Sequence, residues 1–190
     1  MTISVVWGPV GNLFGGKGWN IGSYTKYAPL PSIPLSTQLT NLLSSPVRYQ
    51  GAWSVVPSPT PDSQAYLSVY GWVKGSPWIE YYIVENWATF HPLSQPGVTY
   101  TGTITSDGSP YDLGFENYIG IPRTPSGSGT PVPIRRLWSV RKAKRTGGVV
   151  TVANHWAAWA TSGPIGTAHE WEIVSVEAFN STGKANITVF

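Results

Sequence analysis

The stretch SPWIEYYIVENW, residues Ser76 to Trp87, decides the fold. Its aromatic and β-branched residues favour extended chain. In a strand the side chains alternate, so Glu80, Tyr82 and Val84 point one way while Tyr81, Ile83 and Glu85 point the other. A carboxylate on an apolar strand is costly unless it is paired, hydrogen-bonded or used, so Glu80 marks a candidate site. The same sorting applied to HEWEIVSVEAF, residues His169 to Phe179, places Trp171, Ile173, Ser175, Glu177 and Phe179 on one face. Glu172, Val174, Val176 and Ala178 take the opposite face, and Glu177 lies among aromatic residues as Glu80 does.

Working outward, strand-like runs recur along most of the chain: TISVVW, NLFGGKGW, VRYQGAWSVV, AYLSVYGWV, VTYTGTITSDG, SPYDLGF and ANITVF. Turn clusters such as PSPTPD, KGSP, HPLSQPG and SDGSP separate them. The 17 prolines and 21 glycines, beside 10 Trp and 10 Tyr in 190 residues, suit short strands joined by turns rather than helices. The expected fold is an all-β jelly-roll sandwich of two antiparallel sheets, built as one domain over residues 1–190. One short helix is expected in HWAAWATSG, capped by Asn154, with Trp156 and Trp159 packed into the core. PRTPSGSGTPVP, Pro122 to Pro133, is too rich in Pro and Gly for an interior strand and reads as an exposed hairpin or loop. SYTKYAPLPSIPLSTQLTNLLSSP has no sustained period and reads as an irregular insertion.

Composition narrows the function classes. No run approaches the roughly 20 apolar residues needed to cross a bilayer, and the first residues lack the regions of an export signal. There are no cysteines, which excludes disulfides and thiolate metal sites. Much of the net charge of +3 comes from RRLWSVRKAKR, Arg135 to Arg145, whose alternation suggests a strand with one solvated face rather than a nucleic-acid site.

Two glutamates on aromatic-lined sheet faces are what cleavage of a sugar–sugar bond requires, one acid to protonate the leaving oxygen and one carboxylate to attack or stabilise the anomeric carbon. Aromatic rings offer flat surfaces for sugars, and a low-dielectric setting keeps one carboxyl protonated near neutral pH. Periodicity by itself favours two hydrogen-bonded or rim-exposed strand residues, and it does not place the two strands side by side.

PWIEYYIVENWATFHP and WEIVSVEAF resemble the two catalytic signatures of the family 11 glycoside hydrolases, small jelly-roll endo-β-1,4-xylanases. NLFGGKGW, AYLSVYGW, GTITSDGSPYDL, LWSVRKAKRTGGVVTVANHWAAWA and STGKANITVF are similar to further family segments, in the family's order. The resemblance implies a monomeric, secreted enzyme acting on xylan or xylo-oligosaccharides, with no metal, no organic cofactor, no nucleic acid and no membrane. It implies Glu80 as nucleophile and Glu177 as general acid/base of a retaining mechanism, with carboxyl groups about 5 to 5.5 Å apart. Asn12 matches the position beside the acid/base, where Asn goes with a near-neutral to mildly acidic optimum. Tyr70 and Tyr82 match tyrosines that contact sugar and nucleophile, and Tyr66 shares a strand face with Tyr70. Pro125 and Ser126 match the tip of the thumb, the hairpin over the cleft.

The chain also departs from the family pattern. Family members begin with strands that have no counterpart before ISVVW, and one of those strands carries a sugar-stacking tryptophan. The segment from Tyr27 to Pro46 is extra, and reads either as an intron translated into the chain or as a natural replacement that covers the vacated sheet edge. The thumb tip carries Gly127 in place of an Ile, and the thumb Arg finds only an approximate match in Arg123. The usual Gln ahead of the Tyr-Trp pair is Arg136. Trp171 and Phe179 stand at substrate-binding positions where tyrosines are common. The expected activity is endo-acting hydrolysis of xylan, the alternative being a catalytically impaired or binding-only relative.

Overall fold

The computed structural model describes residues 1–8, 12–20, 46–59, 63–88, 90–124, 126–166 and 168–190, without the side chains of 12, 19 and 20. The insertion expected over 27–46, apart from Pro46, lies outside the described residues, as do Pro125 and the side chain of Asn12.

Eleven strands are described: β1 (Thr2–Trp7), β2 (Asn12–Asn20), β3 (Val47–Pro57), β4 (Gln64–Lys74), β5 (Trp78–Trp87), β6 (Thr99–Ser106), β7 (Ser109–Gly120), β8 (Val132–Arg141), β9 (Gly147–Val150), β10 (Ala168–Phe179) and β11 (Ser181–Val189). A helix, α1 (Val152–Ala160), lies between β9 and β10. The strands form a four-stranded sheet in the order β1-β11-β3-β9 and a seven-stranded sheet in the order β2-β10-β4-β5-β8-β7-β6. The two sheets and the one α-helix among the described residues form the jelly-roll sandwich expected from the sequence.

The expectation of purely antiparallel pairing needs one correction: β5 and β8 run parallel, with Glu80 opposite Arg136. The chain leaves β5, makes the β6–β7 hairpin outside it, and returns along β8 between β5 and β7. A long connection of this kind can bring two strands together in the same direction.

Alternation sorts the seven-stranded sheet as the sequence predicts. Leu67, Val69, Ile79, Tyr81, Ile83, Leu137, Val174 and Val176 pack against Tyr49, Ala185, Ile187 and Val189 of the smaller sheet. Each such aliphatic side chain contributes about 1.5–3 kcal/mol by leaving water. On the other face, Tyr66, Tyr70, Trp72, Trp78, Tyr82, Trp138 and Trp171 form a second cluster that lines a cleft.

Glu85 faces inward and is fully buried, where it accepts from Tyr49 Oη at 2.8 Å and Tyr111 Oη at 2.6 Å and pairs with Arg145. Burial and the adjacent carboxylate together push both tyrosines up, so they remain donors. Gly71, between Tyr81 and Glu172 in the register, lets the Tyr81 ring cross β4; a Cβ there would come within 2.3 Å of the Tyr81 hydroxyl. That hydroxyl donates to Glu172 at 2.8 Å.

The helix begins before the expected cap. Thr151 occupies the cap position, and its N–H and hydroxyl donate to Asp107 at 2.8 and 2.7 Å. Asn154 lies inside the helix and donates to Ser106. A carboxylate from the β6–β7 turn, a feature distant in sequence, therefore anchors the cap residue itself. Trp159 is buried and donates to the Trp138 carbonyl at 3.1 Å, which fixes the helix under β8.

Candidate active site

Glu80 and Glu177 face the same aromatic cleft from β5 and β10, with β4 between them. Strand order, which the sequence leaves open, brings them together. Tyr82 is the link: its hydroxyl donates to Glu177 Oε2 at 3.0 Å and lies 3.5 Å from Glu80 Oε1. Its ring is stacked on Trp138, with centroids 4.4 Å apart and planes 17° apart, so the hydroxyl is held in place from behind.

The two carboxyl groups have different surroundings. Glu80, only 4% exposed, accepts from Tyr70 Oη at 2.7 Å on Oε1. On Oε2 it accepts from Tyr118 Oη at 2.7 Å and Arg136 Nε at 2.5 Å. Trp72 Nε1 donates to Tyr70 Oη at 2.7 Å, which orients that hydroxyl toward the carboxylate. These are the surroundings of an anion.

Glu177 has no such cation at hydrogen-bonding range among the described residues. Burial raises its pKa, the Tyr82 hydrogen bond lowers it, and the charge of Glu80 raises it again; Arg136 and Arg123 act weakly downward. The net shift is upward. One carboxylate held as an ion beside a second carboxyl biased toward its protonated form gives a nucleophile and an acid in one site.

The other expected site residues fall in distinct places. Tyr66, beside Glu177 in the register, donates to Gln64 at 2.9 Å and accepts from Gln95 at 3.2 Å. Trp171 is 9% exposed; its ring packs edge-on against Tyr70 and its Nε1 donates to the Arg123 carbonyl at 3.2 Å. Ser126 donates to Glu170 Oε1 at 2.7 Å. These two contacts tie the 121–131 loop, between β7 and β8, to the start of β10 across one end of the cleft. Phe179, at the end of β10, is 38% exposed. Arg123 meets the site through its carbonyl and its charge on Glu177; the guanidinium that pairs with Glu80 is that of Arg136.

Three contributors escaped the sequence reading. Tyr118 and Glu116 share the cleft face of β7, and Glu116 accepts from Arg136 Nη1 at 2.7 Å. Their alternation within YDLGFENYIG could have grouped them, but only the register places Glu116 beside Arg136 and Arg136 beside Glu80. Phe14, paired with Glu177 in the register, packs edge-on against Tyr70 with centroids 5.2 Å apart and remains 44% exposed. Among the described residues no group of three His, Cys, Asp or Glu side chains could hold a metal ion. No described helix is long and apolar enough to cross a membrane.

Comparison with known proteins adds four observations. The family model for glycosyl hydrolases family 11 matches residues 2–188. An ethylene-inducing xylanase of Penicillium digitatum is 37% identical over 186 residues, 98% of this chain and 71% of that protein. Endo-1,4-beta-xylanase 11A of Botryotinia fuckeliana is 40% identical over 190 residues, covering 98% and 68% respectively. A structure from a comparison of two major endo-1,4-beta-xylanases of Trichodrema reesei superposes with a TM-score of 0.71 at 30% identity, spanning 98% of this chain and 86% of the other.

Proposed function

We propose, from the premise that this chain belongs to the glycosyl hydrolases of family 11, that it is an endo-1,4-β-xylanase that cleaves internal β-1,4 bonds of xylan with retention of configuration. The observation that carries the reading is the unequal pair of glutamates in one aromatic cleft, linked by Tyr82.

In the first step Glu80 attacks the anomeric carbon while Glu177 passes its proton to the departing glycosidic oxygen, leaving a glycosyl ester on Glu80 and an anionic Glu177. Ester formation removes the charge of Glu80, one of the influences that hold the Glu177 pKa up. In the second step Glu177 takes a proton from water, the water oxygen attacks the anomeric carbon, and the bond to Glu80 breaks with its electron pair returning to the carboxylate. Tyr70 and Tyr82 hold the glutamates and meet the sugar, Phe14 and Phe179 offer apolar surface along the cleft, and the 121–131 loop with Ser126 closes over the chain of sugars. Asn12 and Pro125 keep, in this reading, the roles beside the acid/base and in the thumb that the family resemblance implies.

The aromatic cluster on the outer face of the seven-stranded sheet suits stacking against an internal stretch of polymer. Polymeric xylan does not enter cells, so the enzyme acts outside the cell, as a monomer whose site is built from one chain. A binding-only module requires neither glutamate, whereas here four side chains, Tyr70, Tyr82, Tyr118 and Arg136, hydrogen-bond the pair. Release of reducing ends from soluble xylan tests the reading. Glu80→Gln is expected to lower the rate by at least about 10³-fold while the protein still binds xylan and keeps its circular-dichroism spectrum. Undiminished turnover in that variant would end the proposal.

A further inference from the structure

We infer that Arg136 is a positioning residue that divides the catalytic effort between the two steps, holding back attack by Glu80 and hastening its release from the glycosyl ester. The inference rests on the double-displacement reading above. Its basis is a row of three charged side chains at matching positions of adjacent strands, Glu80 on β5, Arg136 on β8 and Glu116 on β7.

The guanidinium is fixed on every side. Its Nε donates to Glu80 Oε2 at 2.5 Å, Nη1 to Glu116 Oε1 at 2.7 Å and Nη2 to Tyr118 Oη at 3.2 Å. Tyr118 in turn donates its own proton to Glu80 Oε2. The cation lies 4.6 Å from the Tyr118 ring centroid and 5.8 Å from that of Trp138. Two anions around one cation leave the row with a net charge of −1, so Arg136 offsets the charge of Glu80 only in part.

The consequence follows from the charge on Glu80 along the reaction. Attack spreads the carboxylate charge into the new C–O bond, so a cation that stabilises the free carboxylate makes it a weaker nucleophile. Breakage of the ester returns that charge to Oε, and the same cation, already in place and needing no reorganisation, stabilises the departing carboxylate. Both oxygens of Glu80 accept hydrogen bonds in the resting site, and the oxygen that attacks must give up part of that hold. A neutral amide at position 136 would donate a hydrogen bond without the charge.

Two aryl xylobiosides separate the steps. 2,4-Dinitrophenyl β-xylobioside has a leaving group good enough that ester breakdown limits kcat; phenyl β-xylobioside is limited by attack. For Arg136→Gln the expected result is about ten-fold lower kcat on the dinitrophenyl substrate, with a burst of dinitrophenol in the first turnover, and a raised kcat/KM on the phenyl substrate. A residue that merely supports the cleft would lower both.

The alkaline limb of kcat/KM gives a second readout. Glu177 is faced by Glu80 and Tyr82 of β5, Tyr66 and Tyr70 of β4, Phe14 of β2, Arg136 of β8 and Arg123 of the 121–131 loop. Removing the Arg136 charge is expected to move that limb to higher pH.

Equal loss on the two substrates, or an unmoved dinitrophenyl kcat, overturns the inference. If Arg136→Gln does not fold, Arg136→Lys carries the test: its single ammonium cannot serve Glu80, Glu116 and Tyr118 together, so a smaller loss confined to the dinitrophenyl substrate is expected. Uniform loss there is again contrary. Turnover of the dinitrophenyl substrate by Glu80→Gln at the wild-type rate would instead indict the double-displacement reading itself.

Discussion

Two residues of identical chemistry, Glu80 and Glu177, differ in what lies against them, and that difference assigns their work. The arginine and two tyrosines around Glu80 supply donors to an anion, whereas Glu177 is buried beside that anion with one tyrosine donor. Strand alternation makes both glutamates legible as cleft residues, because period two is local. Phe14 was not legible, since only pairing with β10 brings it next to Glu177. Its half-exposed ring beside Tyr70 is expected to form one wall for the sugar. Phe14→Ala should raise KM for soluble xylan about five- to ten-fold with kcat changed less than two-fold, the signature of a contact equal in ground and transition states. Michaelis parameters check this; an unchanged KM would remove Phe14 from the binding surface.

At the scale of elements, strands were readable and their neighbours were not. SPWIEYYIVENW announces β5 through its composition, yet nothing within it says that β8 will run parallel beside it, and Arg136 becomes part of the site only through that pairing. The helix shows the same limit: Asn154 has the right chemistry for a cap, but Asp107, 44 residues earlier, satisfies Thr151 and moves the start upstream. The loop between β7 and β8 was recognisable from its Pro and Gly content, while its attachment to β10 through Ser126–Glu170 and Arg123–Trp171 needed the fold. A hydrogen bond to a carboxylate contributes about 1.5–3 kcal/mol when protected and less at an exposed hydroxyl such as that of Ser126. Ser126→Ala is therefore expected to loosen the loop and raise KM for xylan about three-fold, with kcat unchanged or higher if product release limits it. Steady-state kinetics at several viscosities would check it, and identical parameters would count against a latch.

At the scale of the whole molecule, buried titratable groups make stability depend on pH. Burial pushes Glu172 up to about 7, with the Tyr81 hydrogen bond acting the other way. Between pH 4.5 and about 7 the unfolded chain releases this proton and the folded chain retains it, so stability falls as pH rises across that window, by at most about 3 kcal/mol, and is level above it. His155 and His169, lowered to about 4 by burial, act in the opposite sense, their contribution growing as pH rises toward 6.5. Denaturant melts of wild type and Glu172→Gln at pH 5 and pH 8 separate these influences: the variant should gain stability relative to wild type only at the higher pH. A constant difference between the two proteins would place the Glu172 proton elsewhere. The cleft itself is tested most directly by trapping the ester. Incubation with 2,4-dinitrophenyl 2-deoxy-2-fluoro-β-xylobioside, followed by peptide mass spectrometry, should show one fluoroxylobiosyl group on the peptide containing Glu80, with dinitrophenol released in equal amount. A label on the peptide containing Glu177, or turnover through a nucleophile other than Glu80, would contradict the assignment of the two glutamates.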